Sequence, residues 1–271
     1  MKKILTMAAV ALLAASCSND KDVITPDLGT ANAPVAIKLT QSVEGITTKA
    51  PITSGSQVEG IVVMVDVTSG HEHDWGSFNP VYKNEIDGAT KELKTRANVA
   101  GAVFTAGTET DITLTPTLYY DNAQASPKNS HITAVVPSGT IESSKVVFGK
   151  VDGLQDVMTI GADQDAGTAA SPNQDGCKLT FSHKTTQLVF AASYTSVADN
   201  KGEWAGKDVS IKSIKVLGTQ LPQSVNLTNG DVNWATASDF SVPNITTTTL
   251  STTASTISPA VMVAPSIRIS A

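Results

Sequence analysis

The sequence predicts an all-β protein of two tandem β-sandwich domains. Apolar and polar residues alternate with a period of two in several short runs. The clearest are Asp111-Ile112-Thr113-Leu114-Thr115 and Val209-Ser210-Ile211-Lys212-Ser213-Ile214-Lys215-Val216. Such alternation gives each strand one buried face and one wet face. About a fifth of the chain is serine or threonine, threonine the larger share, which suits strands and turns better than helices. Beyond the first twenty residues no window carries a helical apolar stripe, so parallel α/β folds and helix bundles are not expected. At 271 residues the chain is long enough for two cores.

The N-terminus is expected to direct export. Lys2 and Lys3 precede an apolar run from Ile4 to Leu13, too short to span a bilayer permanently. The small residues Ala14, Ala15 and Ser16 then lead into Cys17, as in the lipobox of bacterial lipoproteins, although Ala14 stands where the strict motif prefers leucine. Residues 1–16 are therefore predicted as a lipoprotein signal peptide, with Cys17 lipidated and made the new N-terminus. The alternative is an ordinary cleaved signal with a cysteine nearby. Residues 17–34, polar and carrying Pro26, Gly29 and Pro34, form a tether. Loss of Lys2 and Lys3 makes the mature chain more acidic.

Short β runs follow, separated by clusters of Gly, Pro, Asn, Asp and Ser. They lie at 35–39, 61–67, 111–118, 132–136, 145–148, 157–160, 178–181, 187–194, 209–217, 224–227 and 261–263. The stretch from Gly161 to Gly176 has almost nothing to bury. It predicts an N-terminal sandwich at 35–162, a linker at 163–176 and a C-terminal sandwich at 177–271.

A net charge of −6 with no basic run argues against a nucleic-acid partner. Two cysteines exclude a disulfide-stapled mini-fold and a four-cysteine zinc site. Cys177, in Gly176-Cys177-Lys178-Leu179, reads as a buried structural thiol at the start of a strand rather than a nucleophile, since spacing places no histidine beside it. His71 and His73 share one side of an extended segment and are able to share a metal, but spacing assigns no third ligand. Asp163-Gln164-Asp165-Ala166-Gly167 resembles the opening of a calcium loop without its glycine placement or closing glutamate. No phosphate loop, nucleophile elbow or HExxH motif is present. No catalytic residue, metal or cofactor is expected, and the chain is not expected to be an enzyme.

Five segments, in order along the chain, carry a resemblance. They are Ile46-Thr47-Thr48-Lys49-Ala50; the passage from Leu118-Tyr119-Tyr120-Asp121 to Val136-Pro137-Ser138-Gly139; Gly153-Leu154-Gln155-Asp156-Val157-Met158; Leu179-Thr180-Phe181-Ser182-His183-Lys184 with Gln187-Leu188-Val189-Phe190; and Val261-Met262-Val263-Ala264-Pro265. Together they resemble the fimbrillin family, the pilin-like lipoproteins (type V pilus subunits) of gut and oral Gram-negative anaerobes. The resemblance implies two transthyretin-like sandwiches and gives His183 a packing role. It also implies assembly by donor-strand exchange after a trypsin-like protease removes an N-terminal strand.

On that basis Val35, Ile37 and Leu39 are the inward-facing residues of the removable strand, and Lys49–Ala50 is the candidate processing site. Lysine at this site departs from the arginine such proteases prefer, while Arg96 lies too deep to be an equally natural cut. Only six residues follow Pro265, short for a C-terminal donor segment. The implied role is a stalk, anchor or accessory fimbrial subunit supporting adhesion. Its partners would be other pilin subunits, the outer membrane through the lipid anchor, and host or bacterial surface ligands. The alternative is a lipid-anchored β-sandwich that binds glycan or host protein and never polymerises.

Overall fold

The chain is all-β. The computed structural model describes residues 34–43, 55–68, 73–106, 109–121, 128–194, 208–246 and 249–265. Cys17, Lys49, Ala50, His71 and residues 266–271 lie outside them. Among the described residues no helix is long and apolar enough to cross a membrane.

The strands follow one another as β1 (Leu39–Val43), β2 (Gln57–Val67), β3 (Glu85–Ile86), β4 (Leu93–Thr95), β5 (Val99–Thr105), β6 (Thr110–Ile112) and β7 (Leu114–Thr115). Next come β8 (Asn129–Val136), β9 (Thr140–Glu142), β10 (Lys145–Val147), β11 (Met158–Thr159), β12 (Gln164–Asp165), β13 (Lys178–His183) and β14 (Thr186–Leu188). The last are β15 (Ala191–Ala192), β16 (Lys215–Thr219), β17 (Pro222–Asn226), β18 (Val232–Trp234), β19 (Ser238–Ser241), β20 (Ser255–Thr256) and β21 (Val261–Val263).

Nine strands form one sheet in the order β6-β1-β13-β11-β8-β2-β5-β7, with β12 added to β8. At its centre β2 runs antiparallel to β8, with Ile61 opposite Val135 and Val62 opposite Ala134. Successive side chains leave opposite faces. Val62, Met64, Ile132, Ala134 and Val136 enter one core with Leu39, Phe104, Leu179 and Phe181. Ile61, Val63 and Val135 enter a second core with Ile141, Val146, Phe148, Val225 and Leu227. Both faces are covered, which is why this strand reads as an unbroken apolar run, Ile61-Val62-Val63-Met64. The cover on the second face is a four-stranded sheet, β18-β17-β10-β9.

The nine-stranded sheet wraps around its first core. One extended segment supplies both of its ends: β6 pairs with β1 (Ile112 opposite Leu39) and, after Thr113 alone, β7 pairs with β5 (Leu114 opposite Ala102). Two edges joined by one intervening residue must lie side by side. The expected strand at 111–118 is thus two short strands that switch edges.

Hydrogen bonding does not follow the expected boundary at 163–176. Strand β12 pairs with β8, Ala166 N–H donates to the Ser130 carbonyl at 2.8 Å, and Ala166 and Cys177 are buried in the first core. Gly176 lies so close to the Asp165 carbonyl that no Cβ fits between them. Strand β13, expected to open the second domain, lies between β1 and β11. Farther on, β17 pairs with β10 (Lys145 opposite Asn226), so strands from both halves share the covering sheet. Small and polar residues hold the segment through backbone hydrogen bonds and one buried alanine rather than through large apolar side chains.

A third, smaller core of Val242, Val261 and Val263 is bordered by Leu188, Phe190, Ile214, Val216 and Phe240. It is built from the two-stranded pairs β14–β21 and β16–β19. The alternating run at 209–217 forms a strand only from Lys215 onward.

Candidate functional site: the seat of the N-terminal strand

Residues 35–43 make an alternating ribbon on the first core. Tyr120 N–H donates to the Val35 carbonyl at 3.0 Å, and Ile37 N–H donates to the Leu118 carbonyl at 2.9 Å. The regular strand begins four residues later than the sequence suggests, at Leu39. From there β1 pairs with β6 on one side and lies parallel to β13 on the other, with Thr40 opposite Lys178 and Gln41 opposite Leu179.

The period of two is well kept. Ile37, Leu39 and Gln41 are 4%, 2% and 1% exposed, while Lys38 is exposed between the first two. Val35, expected to face inward with Ile37 and Leu39, is instead 42% exposed. It precedes the regular strand, where only an isolated bridge between Ala36 and Tyr119 holds the chain.

The strand therefore fills a slot with main-chain partners along both sides and an apolar floor. Among the floor residues are Leu118, Tyr120, Ile112, Leu179 and Phe181, all of the first core. Phe181 packs edge-to-face on Phe104 with centroids 4.7 Å apart. Gln41 Nε2 donates to the Thr105 carbonyl at 2.8 Å and to Thr110 Oγ1 at 2.9 Å, tying the strand to the far end of the wrapped sheet. Removing β1 would bare this floor and leave backbone donors and acceptors on β6 and β13 without partners. That is the physical requirement for β-augmentation by another extended segment. Arg96 pairs with Asp66 and donates to the Tyr119 carbonyl, so it is held within the fold rather than offered on a loop.

Cys177 lies at the foot of the same slot. It is 5% exposed, its carbonyl accepts from Thr40 N–H at 3.0 Å, and its Sγ is 3.5 Å from Tyr120 Oη. Burial pushes the thiol above its ordinary pKa. His183 ends β13, with Nδ1 2.8 Å from Oδ2 of the buried Asp156, whose other oxygen accepts from Thr185 Oγ1 at 2.7 Å. The hydrogen bond to Asp156 raises the His183 pKa against the opposing effect of burial.

Three further residues come together that sequence spacing does not connect. His73 Nε2 lies 2.8 Å from Asp163 Oδ1, and His131 Nδ1 lies 2.7 Å from Asp163 Oδ2. In the sequence His73 and Asp163 stand out only separately, one in a His-x-His run and the other in a calcium-like run. His131 carries no local signal, because only the pairing of β12 with β8 brings 163 next to 131. The aspartates of the calcium-like run have separate partners: Asp165 accepts from Gly167 N–H at 2.8 Å and from Asn129 Nδ2 at 3.1 Å.

No protein-family model matches the chain, and no curated protein matches it.

Proposed function

We propose that this chain is a surface lipoprotein of the fimbrillin type, anchored through Cys17, that serves as a structural or accessory pilus subunit assembled by donor-strand exchange and supporting adhesion. In this reading the all-β chain is organised as two tandem transthyretin-like sandwiches and has no catalytic role. The observation that carries the proposal is the position of β1. It is a nearly terminal strand, buried through Ile37, Leu39 and Gln41, hydrogen-bonded on both sides, and followed within a few residues by Lys49. Cleavage after Lys49 would detach that strand covalently while leaving its slot in the fold. Each buried Ile or Leu contributes about 1.5–3 kcal/mol, so an emptied slot would favour capture of an equivalent strand from a second copy. Other pilin subunits are then the partners, with the outer membrane holding the anchor.

Limited trypsin digestion tests the proposal. Trimming at Lys49 is expected to convert the purified protein into SDS-resistant ladders, with no ladder from a Lys49→Gln chain. Trimmed monomer alone, together with binding on glycan arrays, would support the non-polymerising binding module instead.

A further inference from the structure

We infer that His73, His131 and Asp163 form a binding site for a divalent transition metal of the zinc class. The three residues come from separate parts of the fold. His73 lies on the loop after β2, His131 on β8, and Asp163 immediately before β12. Their ligand atoms all lie within 4.8 Å of one another. The Asp163 side chain is only 7% exposed, and its two oxygens face the two imidazoles, one each. The imidazoles stack nearly parallel, 19° apart in plane and 4.6 Å between centroids, so both present a nitrogen to the same carboxylate.

The surroundings hold this arrangement in place. Trp75, 1% exposed in the second core, anchors the loop that carries His73 and lies edge-on to its ring at 6.2 Å. Asp74 does not compete for the position: its carboxylate closes the loop on Gly76 N–H at 2.7 Å and Ser77 Oγ at 2.6 Å. The His131 ring is held by β8, and Asp163 is placed by the pairing of β12 with that strand. His73 keeps 29% of its side chain exposed, which leaves a path for an ion and room for water as a further ligand.

Two imidazole nitrogens and one carboxylate oxygen, with a position left for water, form the donor set of an open tetrahedral zinc site. Imidazole also suits copper and nickel, whereas calcium takes six to eight oxygens that this cluster does not supply. In a tetrahedral site with bonds near 2.0 Å the ligand atoms stand about 3.3 Å apart. The imidazole that faces the binding carboxylate oxygen must therefore move off by about half an ångström as the ion enters, while the other leaves the second oxygen and turns toward the ion. Each imidazole then binds through the nitrogen that now faces Asp163, with its proton on the other ring nitrogen. A bound ion would clamp the loop after β2 and the segment before β12 onto β8.

The test is a competition titration of the full-length, tag-free protein with Zn²⁺ against a chromophoric chelator. One ion per chain is expected, and Co²⁺ should give the visible absorption of a tetrahedral site. His131→Gln and Asp163→Asn should each weaken binding by at least about tenfold, while His183→Gln leaves it unchanged. Should either core-facing variant fail to fold, His73→Gln on the more exposed loop decides the matter by the same loss of affinity. Absence of Zn²⁺ binding, wild-type affinity in the folded variants, or preferential binding of Ca²⁺ would each overturn the inference.

Discussion

Gln41 on β1 donates from Nε2 to the Thr105 carbonyl at 2.8 Å, joining two strands that stand near opposite ends of the nine-stranded sheet. The bond forms because the sheet curls until its ends meet at Thr113, and it makes β1 part of the closure. A strand so placed contributes stability through its buried side chains and leaves a defined slot if it is lost.

Leu39 is the side chain on which that contribution is best measured. Leu39→Ala should cost about 2–5 kcal/mol, the range for truncating a buried leucine, whereas Val35→Ala should stay within about 0.5 kcal/mol because Val35 is largely exposed. Urea unfolding of the two variants checks the contrast. Equal effects would show that residues 35–43 do not pack as described.

Gly176 reports on the segment between Asp163 and Cys177. A Cβ there would overlap the Asp165 carbonyl and lie 3.1 Å from Ala166 N, both backbone atoms with little freedom to move. Gly176→Ala should therefore destabilise the protein by about 1–3 kcal/mol, read as a lowered urea midpoint. A neutral substitution would return the segment to the linker expected from its composition.

That contrast shows what the sequence made legible. The paired central strands β2 and β8 were plain, because their apolar runs at 61–67 and 132–136 are local signals of burial on both faces. Ile37 and Leu39 were readable as inward-facing by alternation, whereas the exposure of Val35 depends on where regular pairing starts. The membership of β13 in the nine-stranded sheet and the pairing of β10 with β17 were hidden, since both depend on partners far along the chain. The same applies to the cluster at Asp163. Its histidines at 73 and 131 meet only through tertiary pairing, so no spacing rule reaches them.

His183 should make stability depend on pH. Its pKa is raised by the hydrogen bond to Asp156, so the protonated form is favoured in the folded chain. The stabilisation is fully present below the unfolded value, near 6.5, and is lost as pH rises through the higher folded value. His183→Gln should therefore cost more at about pH 6, below the unfolded value, than at an alkaline pH above the raised folded value. Equal losses at the two pH values in urea unfolding would contradict the role assigned to the pair.

Cys177 should be silent to thiol reagents in the folded state. Its burial and raised pKa leave little accessible thiolate. In a Cys17→Ser chain, Ellman's reagent should titrate no thiol under native conditions and one thiol per chain in denaturant. Rapid native labelling would mean that the foot of the β1 slot is open.

N-terminal sequencing of the protein recovered from the cell surface tests the central claim most directly. If β1 is removed to admit the strand of a neighbour, subunits taken from SDS-resistant assemblies begin at Ala50, and any unprocessed anchor subunit begins at the acylated Cys17. Recovery of the chain only with residues 35–49 intact, and never in an assembly larger than one copy, would contradict it.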